Sequence, residues 1–452
     1  MSAPLLFNAF VMNTPSHIHH GQWRHPDAHQ VEFESLELWT GLARLLEDGL
    51  FDAMFFADVS GVFGPADGDY TDNVHEALQI PSNDPVVLLG ALAAVTRRIG
   101  LATTSNIMQS HPFQFARQMS TLDHLSGGRV AWNIVTGTLE NSARNFGLPR
   151  LVEHDERYEW AEEYADVVYK LWEGSWSDDA LLVDRANGRY ADPARIHRIR
   201  HSGPRYSVEG PHLSSPSPQR TPVLFQAGGS PRGIAFAARH AEAVFLSTPT
   251  PEVAREHIGR SRALVRAEGR HDSDVRYFQG LTIVVGRTEQ QARRRFAGLQ
   301  EYLSITGHRV HTGLGLRPDG TRYPEDTPLR DIPNNGGRGQ IEWLRREYPD
   351  REPVLGDLIR RRPIGRSLVG TPETIADELE RWRDAGVDGI NLVAHRLPSS
   401  FEQFVELVLP ELRRRGLART GYGDARTFRG RIFGHDRLPD RHPAARFRGA
   451  FG

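Results

Sequence analysis

The 452-residue chain carries 55 basic and 57 acidic side chains for a net charge of -2 and is 39% hydrophobic, a balance that supports a buried core and gives nucleic acid no basic face to bind. It contains no cysteine, which excludes disulfides, thiolate nucleophiles, iron-sulfur clusters and cysteine-bound zinc, so redox chemistry here needs an organic cofactor or another metal site. The start, Met1 to Asn8, lacks a basic stretch leading into an apolar run, and no apolar stretch approaches the roughly 18 residues of a membrane span, which makes a cytoplasmic protein without a membrane partner the expectation.

In chain order, short apolar runs alternate with segments of helical period. The strand candidates are Leu5–Phe10, Phe51–Phe56, Ile99–Thr103, Val130–Ile134, Val223–Gln226, Ala243–Leu246, Tyr277–Val285 and Gly389–Val393. Each reads as a strand buried on both faces. Between them, helices are predicted over Asn83–Arg97, His111–Ser126, Asp155–Trp172 and Thr371–Ala385; Gly127-Gly128 stops the second. Eight strand-helix pairs favour an α/β fold of the (β/α)8 TIM-barrel type over an open sheet. The barrel is expected to span residues 1–426, with long insertions at its C-terminal face at about 175–221 and 307–366, the second a candidate lid. Residues 427–452, rich in Arg, His and Pro, read as a C-terminal tail that wraps a neighbour or is disordered.

Barrel enzymes build their sites just past strand C-termini. Asp58 follows the second strand, Thr104 the third, Asn133 lies in the fourth and Gln226 to Ser230 follow the fifth. This set is polar but holds no nucleophile-base pair, so no catalytic residue is assigned. Read alone, Asp58 suits loop capping as well as function. Gly228-Gly229-Ser230-Pro231-Arg232-Gly233, between a strand and a helix, suits either phosphate binding at a helix N-terminus or plain turn chemistry. Ser230 stands at the third position of the Gly-x-Gly-x-x-Gly pattern, where its second glycine is needed, so a Rossmann nicotinamide site is unsupported. His154 and Tyr158, four apart on one helix face, either clamp a phosphate or are a surface His beside a half-buried Tyr. His17-Ile18-His19-His20 suggests a metal-dependent barrel hydrolase, but the other ligands that class needs at strand ends are missing, and no metal site is assigned.

Taken together, several segments resemble the bacterial luciferase-like flavin monooxygenases, in the branch of nitrilotriacetate monooxygenase component A, the dibenzothiophene sulfone monooxygenase and the pristinamycin synthase large subunit. They include Trp23 to Pro26, Leu46 to Ala53 with Phe56 to Asp58, Ala91 to Thr96, Leu122 to Arg129 and Trp132 to Thr136. Further on are Ala143 to Gly147, His154 to Tyr158, Gln226 to Gly228, Phe236 to Phe245 and Gly370 to Glu373. They stand in the family order from about residue 5 to residue 423.

The resemblance implies a barrel that binds FMN non-covalently, receives it reduced from a separate NAD(P)H:flavin reductase by diffusion, and uses O2 on a small N- or S-containing molecule by N-hydroxylation or C-N or C-S cleavage. It implies a homodimer or homotetramer. It places flavin contacts on Asp58 and Thr104 near the ring system, His154 and Tyr158 along the chain and phosphate, and Gly229 and Ser230 at the phosphate. Gly229 departs from a side chain often polar in relatives, and Ser105 to His111 departs from the family pattern. By location, His17, Asn106, Met108, Asn133 and His395 are candidates for the substrate pocket, loop packing being the other reading. The readings from other classes are the hydrolase and a flavin-binding protein without turnover.

Overall fold

The computed structural model describes residues 3–64, 69–313, 317, 321–332, 344–345, 348–360 and 367–452. Eight parallel strands close on themselves: β1 (Leu6–Met12), β2 (Ala53–Ala57), β3 (Gly100–Asn106), β4 (Val130–Val135), β5 (Val223–Gln226), β6 (Ala243–Leu246), β7 (Arg276–Val285) and β8 (Gly389–Val393). Each pairs with its neighbour in sequence, and β8 returns to β1 with Leu6 opposite Gly389. Every predicted strand is present, shifted at its ends by up to three residues. The shifts reflect how weakly sequence marks an element's ends.

Helices cover the outside of this cylinder: α1 (Leu36–Asp48), α2 (Pro85–Val95), α3 (Pro112–Ser126), α4 (His154–Tyr169), α5 (Pro231–His240), α6 (Pro251–Ala267), α7 (Glu289–Glu301), α8 (Ile305–Thr312) and α9 (Pro372–Asp384). Their starts follow local chemistry. Asp84 accepts from the Val86 N-H with Pro85 in the first turn of α2, and Thr371 does the same for Thr374 in α9. Gly127, at φ 68°, ends α3 in the left-handed region that costs glycine nothing.

The barrel interior is filled by inward side chains, among them Phe55, Ala102, Ala131, Phe225 and Phe278 of β2, β3, β4, β5 and β7, all buried. Below them lies α10 (Phe428–Phe433). An added Cβ on Gly100, the first residue of β3, would stand 2.7 Å from the Phe428 ring, so the missing side chain admits this close approach. Arg429 is fully buried, donating to both Glu242 carboxylate oxygens at 2.7 and 2.9 Å and to the carbonyls of Thr221 and Pro222. Those partners precede β5 and β6, so α10 plugs the N-terminal end of the barrel. The segment from Thr427 therefore packs as an ordered floor within this chain rather than as a loose tail. Beside the buried Phe428 and Ile432, its contacts are made by arginine and histidine with carboxylates and backbone carbonyls, which hydrophobic periodicity does not register.

The two long insertions enter at opposite ends. The first follows α4 and leads into β5, so it starts at the N-terminal face and not at the C-terminal face as expected. It runs up the flank of α3 and α4, with Tyr206 5.9 Å from Tyr164 and 5.4 Å from His111, ring to ring. The second follows β7 and does lie at the C-terminal face, where α8 is its first part. The Arg322–Asp72 ion pair ties it to the loop after β2. Much of the expected lid, residues 314–316, 318–320, 333–343, 346–347 and 361–366, lies outside the described residues.

Candidate functional site

At the C-terminal ends of β4 and β5, the Tyr158 hydroxyl lies among Ser230, Gln226 and Thr136; burial raises its pKa above the usual phenol range, with the hydrogen bonds of these three neighbours opposing the rise. The turn after β5 is shaped by missing side chains. A Cβ on Gly228 would meet the Tyr158 oxygen at 2.7 Å and one on Gly233 would meet it at 2.6 Å, whereas nothing lies within 4 Å of one on Gly229. Gln226 Oε1 takes the Gly228 N-H at 2.7 Å, and Ser230 Oγ caps α5 by accepting the Gly233 N-H at 3.1 Å. The first-turn N-H groups of α5 have no partner within the helix. His154 sits at the rim, its ring 5.2 Å from that of Tyr158 and its Nδ1 2.6 Å from Asp155. Thus Tyr158, Ser230 and the glycines of this turn meet at one end of the barrel mouth, with His154 beside Tyr158.

A second group meets at the ends of β2, β3 and β4. Asn133 Nδ2 donates to Thr104 Oγ1 at 2.9 Å, leaving the buried Asn133 Oδ1 without a partner. Asp58 Oδ2 accepts from Gln109 Nε2 at 3.0 Å, and the same amide reaches Ser60. Burial pushes the Asp58 carboxyl up to about 7, with the Gln109 hydrogen bond opposing and Asp84 adding to the rise. Asn106 Oδ1 accepts the Met108 N-H at 3.0 Å, so its carbonyl braces its own loop. A Cβ on Gly137 would come within 2.5 Å of Met108 and 2.6 Å of Asn106, so the loop after β4 closes against these two and links the second group to the first.

The third group caps the barrel mouth. His17 lies 4.7 Å from the Phe10 ring, which in turn contacts Phe55 and Phe245 across the top of the interior. Gln79, held at φ 50°, donates to the His17 carbonyl at 2.8 Å. His311 of α8 packs edge-on against Phe63, 4.7 Å centre to centre. Burial first, and then His311 and His19, lower the His17 pKa to about 3, so the ring is neutral.

His395 lines a cavity of about 30 Å³ beneath the loop after β1, together with His17, His19, Gln30 and Arg396, so this cavity abuts the mouth at His17. The three histidines of the His17–His20 stretch diverge: His17 toward Phe10, His19 to Thr282 Oγ1 at 2.9 Å, and His20 to Ser16 and His311. Among the described residues no three His, Asp or Glu side chains converge as a metal-binding group. Sequence reading passed over Gln109, Thr136, Gln79, Phe63 and His311. Gln109 and Thr136 carried a signal, Gln109 in the Ser105–His111 loop that departs from the family pattern and Thr136 at the end of the Trp132 to Thr136 segment that keeps to that pattern.

A (β/α)8 barrel with a glycine-lined turn after β5 and polar side chains gathered at its strand ends has the architecture of a barrel enzyme. The luciferase-like monooxygenase family model matches residues 12–389, and the chain belongs to this family and is a monooxygenase, as its motifs led one to expect. It is 42% identical over 456 residues to the long-chain alkane monooxygenase of Geobacillus thermodenitrificans (strain NG80-2), covering 99% of each chain. The crystal structure of a long-chain alkane monooxygenase superposes with a TM-score of 0.91, covering 99% of this chain and 100% of that one. The dimethyl-sulfide monooxygenase of Hyphomicrobium sulfonivorans is 41% identical over 100% of this chain and 95% of its own. A riboflavin lyase solved with modified FMN and its substrate riboflavin is 36% identical, with a TM-score of 0.90 over 98% and 99% of the two chains. Members of the family are flavin-dependent and use O2.

Proposed function

We propose that the chain is the oxygenase of a two-component system: it takes FMN reduced by a separate NAD(P)H-dependent flavin reductase and oxidises a small N- or S-containing molecule, by N-hydroxylation or by C-N or C-S cleavage. The observation that carries the cofactor is the cradle formed by Gly228, Gly229, Ser230 and Gly233 around the Tyr158 hydroxyl. Its open face at Gly229 fits a phosphate, whose charge suits the first-turn N-H groups of α5. Tyr158 and Ser230 can each donate a hydroxyl proton to the phosphate, with His154 at the rim. Asp58, Thr104 and the free carbonyl of Asn133 lie a strand or two away, where the ring system of the same molecule would rest.

Bound reduced FMN supplies the electrons that split O2, one oxygen atom going to the substrate and the other to water. The protein holds the flavin, orients the substrate and keeps water out. Asp58, neutral below about pH 7, can hydrogen-bond a ring without placing a second negative charge beside it. Phe10, Phe63 and Met108 provide the dry wall of the mouth. The neutral His17 and His311 and the Asn133 carbonyl provide hydrogen-bonding groups, which favour a substrate with a heteroatom over a bare hydrocarbon.

The test is oxygen uptake by the purified protein with photoreduced FMN, screened against dimethyl sulfide, an aminopolycarboxylate and a linear alkane. Substrate-dependent product formation from one of the first two supports the reading. Oxidation of the alkane alone overturns the substrate class, and reduced FMN oxidising at the free-flavin rate with no product overturns the oxygenase itself.

A further inference from the structure

The flavin site leaves His20 without a task, yet the molecule holds this side chain on several sides. Gly307, early in α8, rests its bare face on His20, where an added Cβ would stand 2.8 Å from the His20 Cβ. The Ser304 N-H donates to the His20 carbonyl at 3.0 Å, and Gln22 Nε2 donates to the Leu299 carbonyl at 2.7 Å. These contacts dock α8 on the loop after β1 and bring His311 Nδ1 to 2.7 Å from His20 Nε2. On its other side His20 Nδ1 lies 3.1 Å from Ser16 Oγ. Ser16 lines the cavity of about 30 Å³ shared with His19 and His395, which has room for a water or two. The other end of the chain, His311, packs on Phe63 at the barrel mouth.

Two neutral imidazoles that share one hydrogen bond have two arrangements. In the first, the Ser16 hydroxyl donates to His20 Nδ1, His20 Nε2-H donates to His311 Nδ1, and His311 carries a proton on Nε2. In the second every donor and acceptor is reversed, and His311 Nε2 carries a lone pair. Burial holds both rings well below the ordinary imidazole range, His311 at about 4, with neighbouring histidines adding to the effect. Neither arrangement therefore contains an imidazolium.

We propose that Ser16, His20 and His311 form a proton relay between the cavity and the barrel mouth, in which His20 is the positioning residue that sets which nitrogen of His311 bears the proton. The direction rests on the monooxygenase reading, because reducing one oxygen atom to water takes up protons at the mouth. From the first arrangement, His311 Nε2 gives up its proton to the mouth and His311 Nδ1 takes the one from His20 Nε2. His20 Nδ1 takes the Ser16 hydroxyl proton, and Ser16 Oγ takes a proton from a cavity water, which takes one from solvent in its turn and is left as water. One proton enters, one leaves, and nothing is oxidised or reduced; the relay then stands in the second arrangement and is reset by reversal of the ring tautomers.

The wiring is tested on flavin-free protein by NMR with ¹⁵N-labelled histidine. A scalar coupling between the two ring nitrogens across the His20–His311 hydrogen bond, and tautomer exchange of both rings at one shared rate, are expected. No coupling, or independent exchange rates, overturns the relay. Its use is tested in turnover with reduced FMN, O2 and the substrate found in the screen above. Ser16→Ala and His20→Gln should lower kcat on the order of tenfold with KM unchanged, and should turn a curved rate dependence on D2O fraction into a straight one. An unchanged dependence on D2O overturns the proposal. Coupled rings in a wild-type protein that oxidises nothing would count against the oxygenase reading and leave the wiring in place.

Discussion

Asp58 shows how one residue links position to pH. Its carboxyl is raised from 3.8 to about 7 chiefly by burial, so the folded state binds the proton more tightly than the unfolded chain. This contribution to stability is complete below about pH 3.8 and is lost as pH rises through about 7. Binding of the reduced flavin, an anion at neutral pH, should weaken over the same rise, and Asp58→Asn should flatten the dependence in an anaerobic fluorescence titration. A titration of the variant that still bends near pH 7 would assign the effect to another group. At the phosphate end, Tyr158→Phe and Ser230→Ala should each weaken FMN about tenfold and leave riboflavin nearly unchanged, since each removes a hydrogen bond to a charged group, worth about 1.5–3 kcal/mol. Equal losses for both flavins would place these hydroxyls away from the phosphate. These positions were legible because each lies just past a strand end or one helical turn from a partner. His311 was not, because its neighbours His20 and Phe63 are joined to it only by folding, 291 residues apart in the first case.

At the scale of elements, the eight strands were readable because a parallel barrel buries both faces of each strand and leaves continuous apolar runs. The floor was hidden for the opposite reason: α10 is held by a buried ion pair and by arginine-to-carbonyl hydrogen bonds. Replacing Arg429 with leucine should cost about 3–5 kcal/mol, because Glu242 would remain buried without its counter-charge. Gly100→Ala, driving a methyl into Phe428, should cost about 1–3 kcal/mol. Urea unfolding of the two variants measures both costs, and a loss under about 1 kcal/mol in each would mean that α10 contributes little to the barrel.

Across the whole molecule, burial lowers the pKa of His19 to about 4 and those of His20 and His395 well below the ordinary 6.5. Here the unfolded chain takes up the protons, so the stabilising effect is complete above about pH 6.5 and falls as pH drops toward 4. The urea midpoint should therefore be lower at about pH 5.5 than at about pH 7.5, and His395→Gln should narrow the gap. A midpoint that rises on acidification would show these rings to be solvated. The position of α10 also bears on how the protein is made. The ring of strands is complete at Val393, while the residue that fills its base, Phe428, leaves the ribosome later. During synthesis the mouth is thus assembled over an open base, and a nascent chain stalled before residue 428 exposes Phe225 and Phe278 from below, a surface that chaperones bind.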